Sequence, residues 1–171
     1  VVAVYGFGRH RGAWFIAMEY VDGESLEDLL ERQDQLSPEE AVTITRQVSG
    51  GLAEAHAHGI VHRDIKPGNI LLRRLASGAL LAKVVDFGLA RVFEDHGNPS
   101  DSVTDRAKIL GTPAYMAPEQ IQNSTLDGHT DMYALAIVLF QMLTGDLPIY
   151  RKTIQGILLA HMVDDPARLD V

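Results

Sequence analysis

The stretch His62-Arg63-Asp64-Ile65-Lys66-Pro67-Gly68-Asn69 constrains this chain more than any other. Asp64 and Asn69 stand five residues apart, with Lys66 between them. A carboxylate there can accept a proton from a hydroxyl. An amide oxygen can ligate a hard cation such as magnesium, and an ammonium can neutralise a moving anionic group. A lone Asp in a loop is best read as capping a turn. Beside Lys66 and Asn69 that bland account loses most of its weight.

Asp86-Phe87-Gly88 follows seventeen residues after Asn69, and Ala117-Pro118-Glu119 comes further on. In this order and context the chain resembles a protein kinase catalytic domain. Residues 64–72 and 111–120 resemble the bacterial, eukaryotic-like Ser/Thr kinases in particular. The resemblance implies an α+β fold: mostly the helical large lobe, with the last strands of the small lobe and the hinge. Residues 1–18 would end the small lobe, 19–23 would form the hinge, and 24–171 would form an incomplete large lobe. The small-lobe Gly-rich loop and strand Lys are not found. Gly6-Phe7-Gly8 lacks the third glycine and reads as a tight turn between strands. The expectation is therefore a kinase domain truncated at both ends.

The roles that follow are what the resemblance implies. Asp64 accepts the substrate proton, Lys66 reaches the γ-phosphate, and Asn69 and Asp86 hold Mg2+, with Mn2+ as an alternative ion. Thr112 hydrogen-bonds Asp64 and Lys66; with Lys66 it marks a Ser/Thr rather than a Tyr preference. Met18, the Glu19 carbonyl, the Val21 amide, Leu71 and Val85 surround the adenine of ATP. Arg63 pairs with a phosphate on the loop that follows Asp86, with Thr104 as the best matched acceptor over Ser100 and Ser102. Arg106 stands where a second phosphorylated Thr is often found, so dual-site control is not expected. Asp131 accepts hydrogen bonds from the backbone around His62 and Arg63. Glu119 would pair with an Arg beyond Val171 and so lack a partner here. His62 supports the loop by packing.

The implied activity is transfer of the γ-phosphoryl of ATP to Ser or Thr hydroxyls of protein partners, in the cytoplasm. The competing class is a pseudokinase or scaffold module, against which the intact Asp64, Lys66, Asn69 and Asp86 argue. Membrane association would come only from segments outside this chain. A net charge of −8 gives no electrostatic support for nucleic-acid binding. The absence of cysteine excludes a disulfide framework and a thiolate metal site. The remaining histidines lack metal-site spacing.

Periodicity predicts strands over 1–5, 13–20, 70–72 and 81–85, with a turn over 73–79. Leu26, Leu29 and Leu30 suggest a short amphipathic helix. Ser37-Pro38-Glu39-Glu40 reads as a capping box opening a helix with the stripe Ala41, Ile44, Val48, Leu52 and Ala55, ended by Gly59. Further helices are expected over 131–144, stopped by Gly145, and over 153–162. The polar stretch 91–108 reads as an exposed loop.

Overall fold

The computed structural model describes residues 1–11, 13–87 and 113–169. The expected loop over 91–108, Thr104 and Thr112 lie outside them. Three helices and a small sheet build the core. Helix α1 (Leu26–Gln33) is capped by Ser25, whose hydroxyl accepts from Asp28 N at 3.1 Å while Asp28 accepts from Ser25 N at 3.2 Å. This reciprocal cap satisfies two otherwise orphaned donors. Its inner face, Leu26, Leu29 and Leu30, is buried.

Helix α2 (Pro38–Ala57) carries the predicted stripe inward: Ala41, Ile44, Val48 and Leu52 are each no more than 1 % exposed. Only half of the predicted Ser37 box forms. Ser37 caps Glu40 N at 3.3 Å, but the Glu40 carboxylate turns to the Ser37 hydroxyl and to Arg74, 2.7 Å away. The Arg74 cation competes for the oxygen that would have closed the box.

A three-stranded antiparallel sheet, β3 (Glu24–Ser25), β4 (Ile70–Arg74) and β5 (Leu80–Val84), lies against α2 in that order. Ile70, Leu72, Ala82 and Val84 face the core. At the β5 edge, Gln47 of α2 donates to Leu80 O at 2.8 Å and accepts from Ala82 N at 2.9 Å. A side-chain amide thus stands in for a neighbouring strand and blunts the edge. Gly23 lets the chain enter β3 pressed on β4: a Cβ there would sit 2.0 Å from Leu72 O.

The remaining elements are short α3 (Pro118–Ile121), α4 (Gly128–Thr144) and α5 (Ile154–Val163). Helix α4 starts three residues before its predicted start, because Asp127 caps it through His129 N at 2.8 Å. Ala134, Leu135, Val138 and Met142 of α4 join the α2 stripe in one core. Each such buried aliphatic side chain contributes about 1.5–3 kcal/mol when large. Gly145 ends α4 at φ 78°, where a left-handed conformation favours glycine.

The N-terminal hairpin corrects one expectation. Strand β1 (Val4–His10) pairs antiparallel with β2 (Ala13–Met18), and Gly6 and Gly8 lie within β1 rather than in a turn. The pairing explains it: Gly8 faces Phe15 in the register, and a Cβ would lie 3.1 Å from the Phe15 ring. Glycine here makes room for an aromatic neighbour across the ladder.

Candidate active site

The loop that carries Asp64, Lys66 and Asn69 runs between α2 and a 3-10 turn, Pro67–Asn69, that leads straight into β4. The turn fixes the C-terminal end of its backbone. Asn69 N donates to Lys66 O, and Asn69 O accepts from Val85 N, both at 3.0 Å. The structure brings together three of the sequence-predicted residues. Asn69 Nδ2 donates to Asp64 O at 2.7 Å and to Asp64 Oδ2 at 3.0 Å. Lys66 Nζ reaches the same Oδ2 at 2.8 Å. Oδ2 is thus doubly held, and no described residue hydrogen-bonds Oδ1. Together these contacts orient the carboxylate through Oδ2.

His62 joins this group to Asp86. It is fully buried, and its Nε2 donates to Val85 O at 2.8 Å. Its Nδ1 accepts from Asp64 N at 3.2 Å. One ring therefore holds the backbone of Asp64 and the residue before Asp86. The arrangement needs a neutral imidazole, and burial holds its pKa below the ordinary 6.5 against weaker opposing pulls from Val85 O and from Asp131, Asp64 and Asp86. The Phe87 ring meets the His62 ring edge-on at 4.5 Å.

Of the non-glycine residues at positive φ, two lie in this site: Arg63 at φ 70° and Asp86 at φ 63°. Such conformations cost about 1–3 kcal/mol and persist only where surrounding bonds impose them. For Arg63 those bonds are visible. Asp131, whose side chain is fully buried, accepts from His62 N at 2.9 Å and Arg63 N at 2.7 Å, as expected from the sequence. Two anchors escaped the sequence reading. His56 Nε2 meets Asp131 Oδ2 at 2.7 Å. Gln120 Nε2 donates to Arg63 O at 2.8 Å, while its Oε1 accepts from Ala117 N at 3.0 Å. The backbone beyond Ala117 is thereby stitched to the loop that carries Asp64. Glu119 has a partner after all: it accepts from the buried Thr130 hydroxyl at 2.8 Å.

The expected nucleotide-side residues also converge. Met18, Val21, Leu71 and Val85 form one apolar cluster, which Val2 completes. A cleft of about 50 Å3 beside it lies between Val4, Ile16 and Met18 on one side and Asp86 and Phe87 on the other. Glu19 is held on both faces: its N donates to Ala3 O at 2.8 Å, and its carboxylate accepts from Ala3 N and pairs with Lys83 of β5. Lys83 holds its carboxyl below the usual range, first through that bond. The Lys83 pairing was another contact the sequence did not disclose.

The donors suit a hard divalent cation. Asp86 offers an exposed carboxylate, and Asn69, with its Nδ2 committed to Asp64, offers its amide oxygen. Both are hard oxygen ligands, and magnesium keeps its other positions for water and phosphate oxygens. No cluster of three or more His, Cys, Asp or Glu suited to a metal occurs among the described residues.

Comparison with known proteins agrees with this geometry. The protein kinase domain model matches residues 1–167, and the chain belongs to that family. It is 38 % identical over 166 residues to the serine/threonine-protein kinase pkn3 of Myxococcus xanthus, covering 96 % of this chain and 30 % of that protein. It is 37 % identical over 170 residues to the serine/threonine-protein kinase PknB of Mycolicibacterium smegmatis, covering 97 % of this chain and 26 % of the relative. With the serine/threonine-protein kinase PknD of Mycobacterium tuberculosis it shares 38 % identity over 164 residues, 96 % of this chain and 23 % of the other. The chain thus spans less than a third of the length of these relatives. No helix among the described residues is long and apolar enough to cross a membrane.

Proposed function

We propose that this chain carries the catalytic loop and metal-binding Asp of a Ser/Thr protein kinase that moves the γ-phosphoryl of ATP to protein hydroxyls. The observation that carries the reading is the shared grip of Lys66 and Asn69 on Asp64 Oδ2. It orients the carboxylate that accepts the proton of an incoming hydroxyl. Lys66 keeps a positive charge beside the transferring group. Asn69 and Asp86 hold magnesium, which when bound neutralises phosphate charge. Met18, Val21, Leu71 and Val85 pack on adenine, and backbone groups of Glu19 and Val21 bond its edge. Lys66 and Thr112 favour Ser/Thr acceptors.

Residues 1–18 act as small-lobe strands, 19–23 as hinge and 24–171 as large lobe. The 171 residues alone have little phosphotransfer activity, because they contain no Gly-rich loop or strand Lys to hold the phosphates. Arg63 receives the phosphate of Thr104 in the active enzyme. Thr104→Ala then lowers activity, and finding Thr104 unmodified by mass spectrometry of fully active protein contradicts this regulation. The test of the site is magnesium dependence. In the full-length protein, Asp86→Asn should raise the magnesium concentration needed for ATP binding by tenfold or more, roughly the loss of one charged ligand. Unchanged magnesium dependence refutes the assignment. ATP binding without phosphotransfer by the parent would turn the reading to a pseudokinase.

A further inference from the structure

Gln120 does more than cap a helix. It is the third residue of α3, and its Oε1 accepts from Ala117 N at 3.0 Å. Ala117 is fully buried, so its N–H needs a partner. A Glu at this position would serve that N–H as well, and its charge would suit the helix start better. An ionised Glu, however, cannot donate. Gln120 Nε2 donates to Arg63 O at 2.8 Å. The two partners fix the amide orientation, because reversing it would set N–H against N–H and oxygen against oxygen.

The bond to Arg63 O falls at a sensitive point. Arg63 has left-handed backbone at φ 70°. Asp131 accepts from Arg63 N at 2.7 Å, while Gln120 donates to Arg63 O. The first grip restrains rotation about the N–Cα bond and the second about the Cα–C bond. Rotation about the latter turns the peptide unit that joins Arg63 to Asp64. The far end of that unit is Asp64 N, which donates to His62 Nδ1 at 3.2 Å. One peptide plane is thus held at its carbonyl by Gln120 and at its N–H by His62. The Asp64 Cα is the next atom along, and Lys66 and Asn69 meet its carboxylate at Oδ2. A tilt of the plane would carry Oδ2 away from both.

We propose that Gln120 is a positioning residue for Asp64: through Arg63 O it holds the peptide plane that carries the carboxylate, and through Ala117 N it ties that plane to the segment 113–117. The proposal rests on the kinase reading above, in which Asp64 accepts the proton of the acceptor hydroxyl. Gln120 acts on that transfer only through the plane. Its loss therefore slows phosphotransfer and leaves nucleotide binding alone.

The test uses the full-length protein and a synthetic Thr-containing peptide. Gln120→Glu keeps the acceptor for Ala117 N at nearly constant volume and removes only the donor to Arg63 O. Gln120→Met keeps the length and removes both bonds. Both variants should lower the single-turnover rate roughly tenfold, the effect of one buried hydrogen bond, with ATP Kd within about twofold. Thermal stability should fall in Gln120→Met and stay near the parent in Gln120→Glu. A role confined to capping α3 predicts a parental rate in Gln120→Glu, and that result overturns the proposal, as does a parental rate in Gln120→Met. An arm independent of catalysis follows amide hydrogen exchange by mass spectrometry at residue resolution. The Asp64 amide should exchange faster in both variants, and the Ala117 amide only in Gln120→Met. Parental exchange of the Asp64 amide in Gln120→Glu also overturns the proposal. If the parent moves no phosphate to any peptide, the kinase reading fails, and the exchange arm still decides whether Gln120 holds the Asp64 peptide.

Discussion

Replacing Asp131 with Ala tests how the loop that carries Asp64 is held. The carboxylate is wholly buried and accepts from three donors: His62 N at 2.9 Å, Arg63 N at 2.7 Å and His56 Nε2 at 2.7 Å. Asp131→Ala strands all three. Each buried donor left unpaired costs about 1–3 kcal/mol, and removing one member of a buried charged network costs about 3–5 kcal/mol. His62 is fully buried, whereas Arg63 and His56 are half-buried and can recruit water. The expected loss is therefore about 4 kcal/mol, or roughly 10 °C in Tm for a domain of this size. A second consequence is kinetic. Without Asp131 the left-handed Arg63, at φ 70°, loses its restraint and Asp64 drifts from its place. A misplacement of about 1 Å is enough to cut turnover by about a hundredfold. Asp131→Asn keeps one acceptor oxygen and should lose about half as much stability. Chemical denaturation and single-turnover phosphotransfer of the full-length protein give both readouts. Asp131→Ala within about 1 kcal/mol of the parent, or with unimpaired turnover, would refute the reasoning.

Two further outcomes follow from the packing and the titrating groups. His62 and His161 both have pKa values lowered from 6.5 by burial, so the unfolded chain binds more protons below that value. Stability should be complete above pH 6.5 and decline as pH falls through it, until the folded-state values are passed; His62→Gln should flatten the decline, and a pH-independent Tm between 7 and 5 would contradict this. Gly23→Ala would place a Cβ 2.0 Å from Leu72 O, which is backbone and cannot rotate away. It should cost about 2–4 kcal/mol by prising β3 from β4, as read by denaturant midpoint, and a neutral effect would show that the entry to β3 is pliable.

What the sequence disclosed depended on how local the chemistry is. Asp64, Lys66 and Asn69 were legible because one short loop carries all three and the spacing itself encodes their contact. The α2 stripe was legible because Ile44, Val48 and Leu52 repeat at helical spacing. The His56–Asp131 contact was not: the partners are 75 residues apart, and a lone His near a helix end has no distinguishing pattern. Gln120 was hidden for the same reason, since its reach to Arg63 O spans 57 residues. The Ser25 cap was missed because Asp28 stands where the usual pattern has Glu or Gln. Gly6 and Gly8 misled because glycine signals a turn locally, whereas here the neighbour across the ladder decides. Glu119 was expected to lack a partner because the expected one was another charge. A buried threonine hydroxyl serves instead.

The most direct measurement is radiolabelled phosphate transfer from ATP by the full-length protein and its Asp64→Asn variant, with phosphoamino-acid analysis and nucleotide affinity measured in parallel. The account predicts label on Ser and Thr in the parent. In Asp64→Asn it predicts a fall in transfer of at least about a hundredfold, the usual worth of a positioned proton acceptor, with ATP affinity kept within a few-fold. Transfer by Asp64→Asn near the parental rate would contradict the assignment of Asp64, and label confined to Tyr would contradict the Ser/Thr preference read from Lys66 and Thr112.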